Sequence, residues 1–60
     1  MSSNPSLVRV CYVRVEEFTT GPRYTVIMVS DVADPSTERT SVCRGIADTV
    51  QTVEAFLREP

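Results

Sequence analysis

The chain has 60 residues, with eight acidic and six basic side chains, no histidine and a net charge of −2. That length allows one domain at most, and a domain so small buries only about 60% of the surface its unfolded chain exposes. All six cations are arginines spread over positions 9 to 58, so no basic cluster is present to neutralise a phosphate backbone, and direct nucleic-acid binding is disfavoured.

Residues 1–6 are polar and contain Pro5, and they read as a loose N-terminal arm ahead of a single domain at residues 7–60. Residues 7–18, LVRVCYVRVEEF, are rich in valine and aromatics and predict a first strand. Thr19-Thr20-Gly21-Pro22 carries the glycine and proline of a turn. A second strand is expected over 23–31. Asp34-Pro35-Ser36 then marks a turn within a loop at 32–37, and a shorter, more polar third strand follows at 38–44. Gly45 breaks that strand. A helix is expected from about 48 to 58, with Asp48 as N-cap and Gln51 completing a capping-box pattern. Its apolar stripe of Val50, Val53 and Leu57, with Phe56 beside it and Ile46 just before, is expected to be core. The fold class is α+β: a three-stranded antiparallel meander followed by one C-terminal helix packed on one face.

The two long strands look apolar on both sides. A loop of two residues at Gly21-Pro22, or of four at 19–22, pairs odd positions of the first strand with even positions of the second. One face then holds Leu7, Cys11, Val13, Val15, Tyr24, Val26 and Met28. The other holds Val8, Val10, Tyr12, Phe18, Ile27 and Val29. A bulge near Cys11-Tyr12 would swap sides partway and make the first strand amphipathic. One helix covers one face. Four or five aliphatic side chains left in water forgo on the order of 10 kcal/mol. The second face is therefore expected to meet a homodimer partner stacked sheet on sheet, a different protein, or a chain sharing an edge strand.

Chemistry is sparse. Without histidine there is no histidine-based general base or triad, and the two glycines are isolated, so no phosphate-cradling loop exists. Glu16 and Glu17 are neighbours on a strand and point to opposite faces, a poor acid–base pair. Asp31, Asp34 and Glu38 lack the spacing of a calcium loop. Cys11 and Cys43 lack metal-ligand spacing and are expected to be small buried thiols in a reducing cytoplasm, that of a bacterium or a phage-infected cell. No cofactor, no metal, no membrane span and no enzymatic activity are expected.

The candidates for partner contact are Arg9, Tyr12, Val13, Arg14, Tyr24, Ile27 and Val29. Tyrosines are frequent interface anchors, and an arginine among valines reads as a rim or paired interface residue, with Glu16 in reach of Arg14. A small acidic chain of this architecture resembles phage-encoded inhibitors of bacterial defence complexes, anti-CRISPR proteins among them, in architecture and not in any residue motif. That likeness implies a non-enzymatic protein acting by protein–protein binding. The alternatives are the antitoxin of a toxin–antitoxin pair and a self-assembling structural or virion accessory subunit.

Overall fold

The computed structural model describes residues 4–60. Three strands, β1 (Val10–Phe18), β2 (Gly21–Val29) and β3 (Glu38–Cys43), form one antiparallel sheet in the order β1-β2-β3, and α1 (Ile46–Arg58) follows. The expected α+β meander with a C-terminal helix is the observed fold. The expected N-terminal arm lies partly outside the described residues, at 1–3. Residues 4–9 join neither a strand nor a helix, and the Val32 amide donates to the Val8 carbonyl at 3.0 Å.

The boundaries differ from the sequence reading for local reasons. The first strand begins at Val10, not at residue 7, because its partner β2 ends opposite at Val29. The hairpin closes through Thr19-Thr20, and Phe18 pairs with Gly21. Neither threonine has a positive φ. Gly21 alone does, at +124°, where side chains fit poorly. Pro22 thus sits inside β2, where the turn signal had placed it in a loop. It is tolerated because β3 ends at Cys43 opposite Tyr24, so no neighbour on that side needs a donor from position 22.

Both ladders run without interruption, so β1 has no bulge and its faces do not swap. The odd-to-even pairing makes one face of Cys11, Val13, Val15, Tyr24, Val26 and Met28, as expected, and adds Arg39, Ser41 and Cys43 from β3. The helix covers this face. Val26, Met28, Cys43 and Phe56 form the core, with Cys11, Tyr24 and Val53 packed around them.

The helix starts two residues before its expected first turn. Gly45, extended at φ −157°, is the N-cap, and no side chain caps it. Asp48 instead lies in the first turn, where its carboxylate favours the positive end of the helix dipole. The residues on the sheet are Thr49, Thr52, Val53 and Phe56. The two threonine hydroxyls donate back to the Gly45 and Asp48 carbonyls, at 2.8 and 2.9 Å, so they enter the interface satisfied. The Thr52 hydroxyl also shares a hydrogen bond with the Cys43 thiol at 3.4 Å. The expected stripe of Val50, Val53 and Leu57 is therefore not the core. Only Val53 is half-buried, while Ile46, Val50 and Leu57 are exposed.

The C-terminal end of the helix is held by arginines. Arg9 stacks on the Phe56 ring, 4.5 Å from its centroid, and donates to the Phe56 and Glu59 carbonyls. Arg39 stands 5.8 Å from the same ring and pairs with Glu59 at 2.8 Å.

Candidate functional site

Two exposed surfaces of different chemistry flank the sheet. The open face, away from α1, is built in rows across the strands: Val10–Val29–Glu38, Tyr12–Ile27–Thr40, Arg14–Thr25–Val42 and Glu16–Arg23. Its central strand is already shielded by neighbours, since Ile27 is only 7% exposed and Thr25 is buried. The accessible apolar groups stand on the outer strands and the hairpin: Tyr12 at 54%, Val42 at 59%, with Val10 and Phe18. Glu16 accepts from Arg23 at 2.8 Å and lies 3.6 Å from Arg14, and the Arg23 guanidinium covers the Phe18 ring at 4.9 Å. The face is thus a mixture of tyrosine, valine, threonine and a charged rim.

The second surface lies on the helix side. α1 rests on β2 and β3 and leaves Val13 and Val15 of β1 bare. Between β1 and α1 runs a cleft of about 350 Å³ lined by Val13, Thr49, Val50, Val53, Glu54 and Leu57. Val50 is 58% and Leu57 66% exposed beside it. Nearly all of this surface is aliphatic.

The partner-contact candidates divide between these places. Tyr12, Arg14, Ile27 and Val29 share the open face, with Ile27 buried and Val29 half-buried there. Val13 lines the cleft. Tyr24 packs at the edge of the core, and Arg9 is engaged within the chain at the helix terminus. Sequence reasoning passed over Val42, because the third strand looked polar, and it assigned Val50 and Leu57 to the core. Pairing of Val42 with Thr25 fixes its side, and that pairing is set by the β2–β3 register rather than by local pattern.

Other chemistry is limited. Cys11 and Cys43 are free thiols on the same face, paired opposite Met28 and Tyr24 respectively. Four residues along β2 and two strand spacings separate them by about 16 Å, beyond disulfide reach. Burial pushes the Cys11 thiol pKa up. Among the described residues no three acidic or cysteine side chains converge as a metal site, and no helix is long and apolar enough to cross a membrane. The Asp31, Asp34 and Thr37 side chains bond to their own loop, Asp34 accepting from the Ser36 amide and hydroxyl.

Comparison with protein-family models, with curated proteins and with solved structures returns no match.

Proposed function

We propose that this chain is a small non-enzymatic protein that acts by docking its open sheet face onto another protein. The supporting observation is the make-up of that face: exposed Tyr12, Val10, Val42 and Phe18 around a shielded centre, edged by Arg14, Glu16 and Arg23. Separable interfaces have this mixed composition, with aromatic and arginine residues enriched and a polar rim. Ile27 and Thr25 beneath give the face a rigid floor, which lowers the entropy lost on docking. As to the target, the small acidic α+β form fits an inhibitor of a bacterial defence complex, working in the cytoplasm of the cell that holds it.

The test is co-purification of tagged chain with a defined nuclease or surveillance complex, repeated with Tyr12→Ala and with Val42→Glu. Retention of the complex by the wild-type chain and its loss with both variants supports the reading. Retention by both variants shows that another surface carries the interaction. Failure to bind any such complex, together with growth into large assemblies, favours a structural subunit. The unpaired outer edges of β1 and β3 are the observation behind that second reading.

A further inference from the structure

The arginines that the sequence scatters are gathered by the register at one end of the open face. Arg14 and Arg23 meet there around Glu16, at 3.6 and 2.8 Å, and Arg44 follows the last residue of β3. Among the described residues only Glu16 opposes these three cations on this face, since Glu17 falls on the helix side of the sheet. The far end of the face carries Glu38, with Asp31 and Asp34 in the loop behind it. A chain of net charge −2 thus holds a local excess of positive charge beside its hairpin. Among the described residues, Arg44 alone of the six arginines has neither an ion pair nor a side-chain hydrogen bond.

A cleft of about 460 Å³ opens between Arg23 and Arg44, which line it with Phe18, Val42, Thr20 and Pro22. It exists because β3 stops at Cys43, opposite Tyr24, while its neighbour β2 reaches back to Gly21. The bare edge of β2 is a poor place for a further strand, because Pro22 has no N–H to give to a ladder. A side chain needs no ladder. The Phe18 ring lies 4.9 Å from the Arg23 guanidinium, and Glu16 accepts from Arg23 Nε and Nη2 through one oxygen. Arg23 is therefore held in one orientation, with Nη1 left over, and little entropy is lost when that group takes a partner.

We infer that this cleft receives an aspartate or glutamate side chain of the protein onto which the open face docks. The inference rests on that docking and adds the chemistry of the partner at one point. Arg44 supplies the uncompensated charge, and its planar fork of donors matches a carboxylate. Arg23 adds Nη1 from the other wall. Phe18 and Val42 exclude water from the remaining sides, so the pair is screened less than on open surface. A phosphate backbone fits less well. It needs several cations in a line, and here Arg14 and Arg23 already share Glu16, whose charge would face the next phosphate. A single carboxylate needs one or two. The target surface is therefore acidic opposite Arg44 and apolar opposite Val42.

The first test needs no identified target. Acetylated hexaglutamate, titrated into the isotope-labelled full chain at low salt and followed by NMR, should shift the Arg44 and Arg23 side-chain signals and the Val42 methyls in a saturable way. It should do so although the net charge of the chain repels the peptide overall. Arg44→Gln, at an exposed position and hence compatible with folding, should weaken this binding about 5-fold or more. Arg58→Gln, at the exposed pair on α1, should leave it unchanged. Absence of saturable shifts overturns the inference, and so do equal losses in the two variants. Tighter binding of a thymidylate octamer at the same residues overturns it too, because the cleft would then be a phosphate site. The second test is the co-purification described above, with Arg44→Gln added. Loss of the complex with Tyr12→Ala and Val42→Glu but not with Arg44→Gln keeps the docking face and overturns the carboxylate site. Peptide binding at Arg44, with the complex retained by both Tyr12→Ala and Val42→Glu, keeps the carboxylate site and removes the docking face.

Discussion

At the scale of single residues, a few side chains and one glycine set the geometry. Among the described residues Gly21 is the one position with positive φ, yet a Cβ there would meet no atom within 4 Å. The cost of a side chain is thus conformational and not steric. Gly21→Ser should destabilise the fold by about 1 kcal/mol or more. The same change at Gly45 tests the contrast. There the backbone is extended and the helix N-terminus has no side-chain cap, so Gly45→Ser should be neutral or gain a few tenths of a kcal/mol. Urea denaturation of the two variants reads the difference. Arg9 gives a second contrast. Arg9→Met keeps an unbranched stem against Phe56 but loses the bonds to the Phe56 and Glu59 carbonyls at the negative end of the helix. It should cost about 1–2 kcal/mol, while Arg58→Met, at an exposed i,i+4 pair, should cost under about 0.5. Equal losses at the two sites would show that the Arg9 contacts add nothing.

Among the elements, the turn at Pro35–Thr37 carries the clearest pH response. Hydrogen bonds from the Ser36 hydroxyl and amide hold the Asp34 carboxyl below its ordinary value of 3.8. A carboxylate whose pKa is lower in the folded chain contributes stability above the unfolded value, and loses it as pH falls through the folded one. The loop at 31–37 should therefore loosen only below about pH 4. The Ser36 amide shift should titrate with Asp34, and Ser36→Ala should move that midpoint upward. The cysteines make a second prediction. Held about 16 Å apart by the register, Cys11 and Cys43 should remain two free thiols by mass spectrometry after mild oxidation at low protein concentration. An intramolecular bond would contradict the β1-β2-β3 order. These elements also show what the sequence carries. The strand and helix types, their order and the face parity of β1 and β2 were legible, because valine content and the period-two register are local signals. Local pattern could not decide which of two overlapping helical stripes meets the sheet. Val50 and Leu57 match the apolar period as well as Thr49 and Phe56 do. The outcome depends on the Phe56 ring fitting between Arg9 and Arg39 and on two threonines that satisfy their own hydroxyls. The open face holds the expected Val10, Tyr12, Phe18, Ile27 and Val29, with Val42 added from β3. Its apolar character was inferred from two strands, and β3 then adds Glu38 and Thr40 to it.

For the whole molecule, the question is how so little core supports a fold. The chain extends 50 × 22 × 20 Å, with a radius of gyration of 13.9 Å, where a compact chain of this length has about 10 Å. Among the described residues only Val26, Ile27, Met28, Cys43 and Phe56 are buried apolar residues, and the β1–β2 hairpin projects beyond the end of β3. Small domains of this kind usually draw stability from a disulfide, a metal or another subunit. The separation of the cysteines removes the first, and no converging ligand set among the described residues offers the second. If a second copy of the chain supplies the third, unfolding is linked to dissociation, and stability depends on protein concentration by mass action. A tenfold rise in concentration then adds about 1.4 kcal/mol per dimer. Spread over the unfolding entropy of two such chains, that raises the melting temperature by about 5 °C. Thermal unfolding followed by circular dichroism across two decades of concentration should show two such steps for the wild-type chain. A concentration dependence lost in Leu57→Glu and kept in Tyr12→Ala places the contact on the helix side, and the reverse places it on the open face. A flat wild-type profile would mean that the five buried residues suffice alone, with the cleft lined by Val13, Val50 and Leu57 left open to water.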